Sequence, residues 1–175
     1  MSAIAELYIL ETLKSLKGLK SSAEKAISQI SNEELHFSPD IESNSVAIIM
    51  KHLAGNMLSR FTNFLTTDGE KEWRKRDQEF IDEYKTHEEL FDLWNNGWEC
   101  LFEALSKLQP EELSKLIYIR GEEHTVLRAL NRQLVHYAYH TGQIIYICKH
   151  IRKSDFQSLS IPRSKPDNST SKTSN

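Results

Sequence analysis

Apolar residues recur at three- and four-residue spacing in four long segments, which is the period of an amphipathic helix. The first predicted helix runs from about Ile4 to Ile30. The second begins near Ser43, with Ser43 or Asn44 as its N-terminal cap, and the turn at residues 66–70 ends it. A polar loop at residues 67–85 follows, and we expect it to form a wall or lid at one end of the fold.

The second half of the chain repeats this pattern. Thr86 and Glu89 form a predicted capping box at the start of the third helix, which ends at the QPEEL segment. Residues 117–119 are a predicted extended connector, and the fourth helix runs from Thr125 to about Ile151. Four helices of similar length around one core predict an all-α four-helix bundle. We expect one domain at residues 1–163 and a disordered polar tail at 164–175.

Composition narrows the class of protein. Hydrophobic residues make up 39% and charged residues 27% of the 175 residues, as in ordinary globular proteins. A net charge of −3 gives no basic footprint for nucleic acid, and no apolar run has the ~20 residues of a membrane span. Cys100 and Cys148 lie in separate helical segments, so we expect buried free thiols in a cytoplasmic protein rather than a disulfide.

The fourth predicted helix carries two histidines, His136 and His140, one turn apart. At four residues' spacing they differ by about 40° around the helix, so both side chains can reach one atom. Opposite faces of this helix are apolar, which predicts a helix buried on most sides. A buried pair of imidazoles can bind a metal, or each can be a core or interface histidine hydrogen-bonded to a tyrosine or a carbonyl.

A third histidine, His52, begins a polar row on the second predicted helix that continues through Asn56, Ser59 and Asn63. Such a row is either solvated or lines a polar pocket. Three imidazoles with an open position are the ligand set of a catalytic zinc-type site. The remaining histidines are expected on the surface, in loops or at helix ends: His36, His87, His124 and His150.

Two segments, SVAIIMKHLAGNMLSRF and RGEEHTVLRALNRQLVHYAYHTGQIIYICKHI, together resemble the DinB-like superfamily of bacterial four-helix proteins. The resemblance extends over residues 4–163. It implies a DinB-like bundle in which His52, His136 and His140 bind a divalent metal, nickel or zinc above all, with iron or manganese as alternatives. It also implies a homodimer, since many members are dimers.

The resemblance further implies a metal-dependent enzyme that transfers a small thiol, such as bacillithiol, to a small electrophile. The metal would lower the pKa of a bound thiol or water, and a hydrolase is the alternative chemistry. Asn56, Ser59 and Gln143 would orient the substrate, and Glu122 or Glu123 is the acidic candidate. The alternative function is that of a non-catalytic metal-binding stress or interaction protein. A fourth protein ligand to the metal would favour this alternative.

Arginines are candidates for binding an anionic substrate group, because a guanidinium pairs with a carboxylate in a fixed fork. The segments that carry these arginines resemble one branch of the DinB-like superfamily, the uncharacterised proteins of bacilli and their relatives. They contain Arg74, Arg76, Arg120 and Arg163. We favour a structural role instead, in which the loop arginines pair with nearby acids, namely Asp77, Glu79, Glu122 or Glu123. Residues 164–166 depart from the Gly and Ser expected after Arg163, which weakens any role for that segment.

Overall fold

The computed structural model describes residues 2–83 and 85–160 of the chain. Most of these residues are helical, in agreement with the predicted all-α class. Within them lie four α-helices, α1 (Ser2–Ile27), α2 (Val46–Phe61), α3 (His87–Ser106) and α4 (Val126–Arg152), and two strands, β1 (Leu116–Ile119) and β2 (Glu122–Thr125). The predicted tail at residues 164–175 and Arg163 lie outside the described residues.

Three of the helices begin at residues whose side chains accept a hydrogen bond from the first turn. The capping box of Thr86 and Glu89 is confirmed at α3. Thr125 caps α4 by accepting from the backbone N–H of Arg128 at 3.2 Å. The predicted cap of α2 was wrong by one or two positions, because Ser45 accepts from Ile48 while the Ser43 hydroxyl donates to Asp40.

The core joins α2 to α3 and α1 to α4. Trp94, Trp98 and Tyr137 are fully buried in it, and the Trp98 and Tyr137 rings meet edge to face at 5.8 Å between centroids. A Cβ added at Gly97 would lie 2.8 Å from the Cα of Ala54, so α2 and α3 are in backbone contact there. This packing holds α2 and α4, the helices that carry His52, His136 and His140, against the same aromatic cluster.

The prediction that the fourth helix is buried on most sides is wrong for one face of α4, which is exposed. Val135 and Tyr146 are each 70% exposed and Tyr139 is 64% exposed. The reason is that α4 packs mainly on α1 and to a smaller extent on α2, which leaves a third side uncovered within the described residues. None of the described helices is both long enough and apolar enough to span a membrane.

The predicted extended connector is confirmed as β1, and it pairs antiparallel with β2. The strand β2 was missed, since its sequence EEHT lacks the alternation of a half-buried strand. Arg120 and Gly121 form the tight turn with φ angles of 57° and 75°, as a two-residue hairpin requires. The Asp68 carboxylate accepts hydrogen bonds from both of their backbone N–H groups, at 2.8 and 2.7 Å, and so ties the hairpin to the 67–85 loop.

Candidate metal centre

Three histidines converge where α2 faces α4. His52 comes from α2, and His136 and His140 come from successive turns of α4. Their ligand nitrogens lie within 4.8 Å of one another, and the Nε2 atoms of His52 and His136 are 3.3 Å apart. His52 and His140 are buried and His136 is half-buried. Three imidazoles this close can hold one metal ion.

The electrostatics of the cluster favour neutral imidazoles. Burial lowers the pKa of His136 to about 3, and the neighbouring His140 and His52 act in the same direction. The pKa of His140 is also lowered, because the effect of burial outweighs a hydrogen bond to Gln143 that raises this pKa. A neutral imidazole offers a nitrogen lone pair to a metal, whereas an imidazolium does not. His136 and His140 therefore favour the protonation state that metal binding requires.

Glu79 and Arg74 hold His52 in place from behind. The Nδ1 of His52 lies 2.9 Å from Oε2 of Glu79, and Arg74 donates to both Glu79 oxygens at 2.7 and 2.8 Å. Burial alone would raise the pKa of Glu79, but these hydrogen bonds and the Arg74 charge outweigh it and lower that pKa. An ionised Glu79 can only accept, so Nδ1 of His52 donates this hydrogen bond, and the Nε2 atom of the same ring lies 3.3 Å from Nε2 of His136.

The close approach of Glu79 to α2 depends on Gly55. A Cβ added at Gly55 would collide with the Glu79 carboxylate, so a larger residue there would push the loop away from His52. Glu79 belongs to a 3-10 helix at Arg76–Phe80, and the Phe80 ring lies 4.9 Å from the His52 ring between centroids. The 67–85 loop thus supplies both a carboxylate and an aromatic wall beside the cluster.

Gln143 and Asn56, both predicted to orient a substrate, make contacts within the site. Oε1 of Gln143 lies 2.7 Å from Nδ1 of His140, so Gln143 fixes that ring as Glu79 fixes His52. Oδ1 of Asn56 accepts a 3.0 Å hydrogen bond from the Tyr137 hydroxyl. That bond leaves the amide N–H groups of Asn56 available at the cluster.

A polar cavity of about 190 Å³ opens beside the histidines. We call it the arginine cavity, because five arginines line it together with two of the histidines and two side-chain amides: Arg60, Arg74, Arg76, Arg120, Arg132, His52, His136, Asn56 and Gln133. From the sequence, Arg74, Arg76 and Arg120 were candidates for binding an anionic group, although a structural role was favoured for them, and Arg60 and Arg132 were not named. The position of Arg132, one helical turn before His136, was the available signal for it.

Residues 3–165 match the model of a family described as "Protein of unknown function (DUF1572)". The chain belongs to this family. No curated protein matches the chain.

Three arginines of this DUF1572 protein are held by carboxylates, as the favoured structural interpretation requires. Arg74 pairs with Glu79 as predicted. Glu70, which was not foreseen, pairs with Arg60 at 3.2 Å and with Arg120 at 2.8 Å. Sequence spacing did not point to Glu70, because the contacts join the loop to the hairpin tip and to the end of α2.

Other candidate residues of the DUF1572 protein lie away from the cluster. The Glu122 side chain is 78% exposed, and its ion-pair contact is with His124 at 3.8 Å. Glu123 is exposed. Ser59 donates to the carbonyl of Gly69 at 2.7 Å, so it anchors the loop instead of facing the cavity. His124, expected near the surface, is buried at 5% exposure because its position in β2 turns it inward.

Proposed function

We propose that this DUF1572 protein is a divalent-metal-dependent enzyme with a DinB-like four-helix bundle fold. His52, His136 and His140 would hold the ion. The observation that carries the proposal is the convergence of three imidazoles whose ligand nitrogens lie within 4.8 Å of one another, two of them oriented by Glu79 and Gln143. A set of imidazole nitrogens suits nickel and zinc, with iron and manganese as alternatives.

The reaction we propose is transfer of a small thiol, of the bacillithiol type, to a small electrophile. A bound divalent ion supplies the acidity, since it lowers the pKa of a coordinated thiol or, in a hydrolase, of water. Asn56 offers amide N–H groups to the substrate while Tyr137 holds its oxygen. Phe80 covers the His52 ring and limits the access of water from the loop side.

An open coordination position distinguishes an enzyme from a structural metal site. Among the described residues, no fourth His, Cys, Asp or Glu joins the three histidines. The arginine cavity also borders two of them, His52 and His136, so a small molecule bound there would lie next to the cluster. Both observations favour chemistry over a purely structural or stress-binding role.

We further propose that the protein works as a cytoplasmic homodimer. Free Cys100 and Cys148 fit a reducing compartment. Val135, Tyr139 and Tyr146 form an exposed apolar strip on one face of α4, and a second copy would cover it. Replacing Tyr139 by Lys is expected to shift a sedimenting dimer to monomer, and a wild type that sediments as a monomer at micromolar concentration would contradict the dimer.

The test of the metal site uses protein purified without a polyhistidine tag, stripped of metal and then reconstituted with nickel or zinc. We expect one bound ion per chain by elemental analysis, and depletion of a thiol in the presence of one of a panel of electrophiles. Failure to retain stoichiometric metal would overturn the proposal. If the protein binds stoichiometric metal but catalyses neither thiol transfer nor hydrolysis, a non-catalytic metal-binding role is supported instead.

A further inference from the structure

The arginine cavity has a strong excess of positive charge. Five guanidinium groups line it, and among residues 2–83 and 85–160 the carboxylates that contact them are Glu70 and Glu79. The excess is therefore three positive charges, in a protein whose overall net charge is −3. A small cavity bordered by such a charge raises the local concentration of anions.

Two of the five arginines are not neutralised. Arg76 and Arg132 line the cavity, and neither is paired with a carboxylate among residues 2–83 and 85–160. Arg76 lies with its guanidinium carbon 5.9 Å from the Phe80 ring centroid, and Arg132 lies one turn before His136 on α4. They come from two different elements, the 67–85 loop and α4, so a ligand in the cavity could be contacted by both.

Gln133 adds a second, independent sign of a missing ligand. It lines the same cavity and is only 5% exposed, yet its Oε1 has no hydrogen-bond partner. A buried amide oxygen without a partner is destabilising by about 1–3 kcal/mol. This oxygen can accept only from a hydroxyl or N–H group, so the part of a ligand that met it would be a hydrogen-bond donor and not the oxyanion itself.

We propose that the arginine cavity binds a dianionic oxyanion group of the substrate, either two carboxylates or one phosphate, clamped between Arg76 and Arg132. The inference rests on the proposed function, because it names the part of the substrate that anchors its reactive end beside His52 and His136. A volume of about 190 Å³ is smaller than the ~300–1,000 Å³ of pockets that enclose a whole drug-sized ligand. The cavity therefore takes the charged end of a molecule whose remainder extends toward the histidines.

The experiment measures anion binding by calorimetry on the metal-free full-length protein, so that a metal cannot contribute. Succinate and inorganic phosphate are the two dianionic probes, and succinamide is the uncharged probe of matching size. We expect saturable binding of at least one dianion with a Kd in the millimolar range or below, weakening with added salt, and no binding of succinamide. Succinate and phosphate together decide whether the clamp prefers carboxylates or a phosphate.

The variants assign the binding to the two free arginines. R76Q/R132Q is expected to weaken dianion binding at least ~10-fold through loss of two charge-assisted contacts. R128Q is the matched control, because Arg128 is exposed on the same helix one turn before Arg132 and does not line the cavity. We expect it to change the Kd less than ~2-fold. Circular dichroism verifies that all variants keep their helices.

Failure of this inference is distinguishable from failure of the metal proposal. H140A removes a proposed metal ligand that does not line the cavity, so it should lose metal and keep dianion binding. R76Q/R132Q should do the reverse. The inference is overturned if neither dianion binds the wild type, if succinamide binds as well as succinate, or if R128Q weakens binding as much as the double variant.

Discussion

Two of the cavities that border α4 differ in almost every property. The arginine cavity measures about 190 Å³. The other, which we call the α1–α4 groove, measures about 750 Å³ and is mostly apolar. It is lined mainly by residues of α1, of the 110–114 turn and of the start of α4: Ile4, Ala5, Tyr8, Pro110, Leu113 and Leu127. By size and apolarity alone, the groove would be the default ligand site.

If the proposed function is correct, convergent and oriented polar groups identify the site better than volume does. In the arginine cavity, His52 is fixed by Glu79, and Glu79 is fixed by Arg74. In the groove, the Tyr8 hydroxyl is already satisfied by Asn131 at 2.8 Å. The groove therefore offers area for a partner or a chain segment, while the arginine cavity offers groups that lack only a ligand.

The sharpest test of this difference removes a histidine. We expect His136→Ala to weaken divalent-metal affinity by more than ~100-fold, beyond the ~10–100-fold typical of losing an outer-shell partner. The fold should survive, because the core is large and His136 is only half-buried. Metal competition assays and helical circular dichroism provide the measurement, with the exposed His150 changed to Ala as the control. A collapse of helicity in His136→Ala would show that the histidine is a core residue instead.

The next largest effect should come from the residue behind His52. Glu79→Gln removes the negative charge that orients the imidazole, and we expect metal affinity to fall by ~10-fold or more. Glu72, exposed in the same loop, is the matched control as Glu72→Gln. Equal affinity in the two variants would mean that Glu79 only neutralises Arg74. Metal competition with a chelating dye separates the two outcomes.

The part of the site that was predictable from sequence is the part carried on helices. The spacing of His136 and His140 places them on one face by helix geometry alone, and His52 stands out as a polar residue in an apolar helix. The capping box of Thr86 and Glu89 could be predicted because capping is local chemistry. These features depend on residues no more than four apart, so the sequence contains them directly.

The loop contributions could not be predicted in the same way. Glu79 reaches His52 from 27 positions away, and Glu70 reaches Arg120 from 50 positions away. The path of the 67–85 loop depends on the tie between Asp68 and the hairpin and on the space left by Gly55. Neither is a periodic pattern. A sequence reading could foresee that a histidine ligand needs a carboxylate partner, but not which acid supplies it.

A third test concerns the distance between α2 and α3, which positions His52. Gly97→Ala would push its Cβ against Ala54, and we expect a loss of about 1–3 kcal/mol in the free energy of unfolding from overpacking. Gly18→Ala is the control, because nothing lies within 4 Å of a Cβ at that exposed helical position. It should be stabilising by about 0.5–1 kcal/mol. Denaturant unfolding measures both, and equal effects would contradict the close helix contact.

The smallest expected effect tests whether the two cavities are independent. Leu127 lines the groove and Arg132 lines the arginine cavity, although both belong to α4. Leu127→Ser removes apolar area that is already 40% exposed, so the loss of stability should be about 1 kcal/mol at most. Because Leu127 touches neither the histidines nor the arginines, metal and succinate affinities should change less than ~2-fold. If calorimetry shows that Leu127→Ser weakens succinate binding as much as Arg132→Gln does, or metal binding as much as His136→Ala does, the groove is part of the same site and the contrast between the two cavities fails.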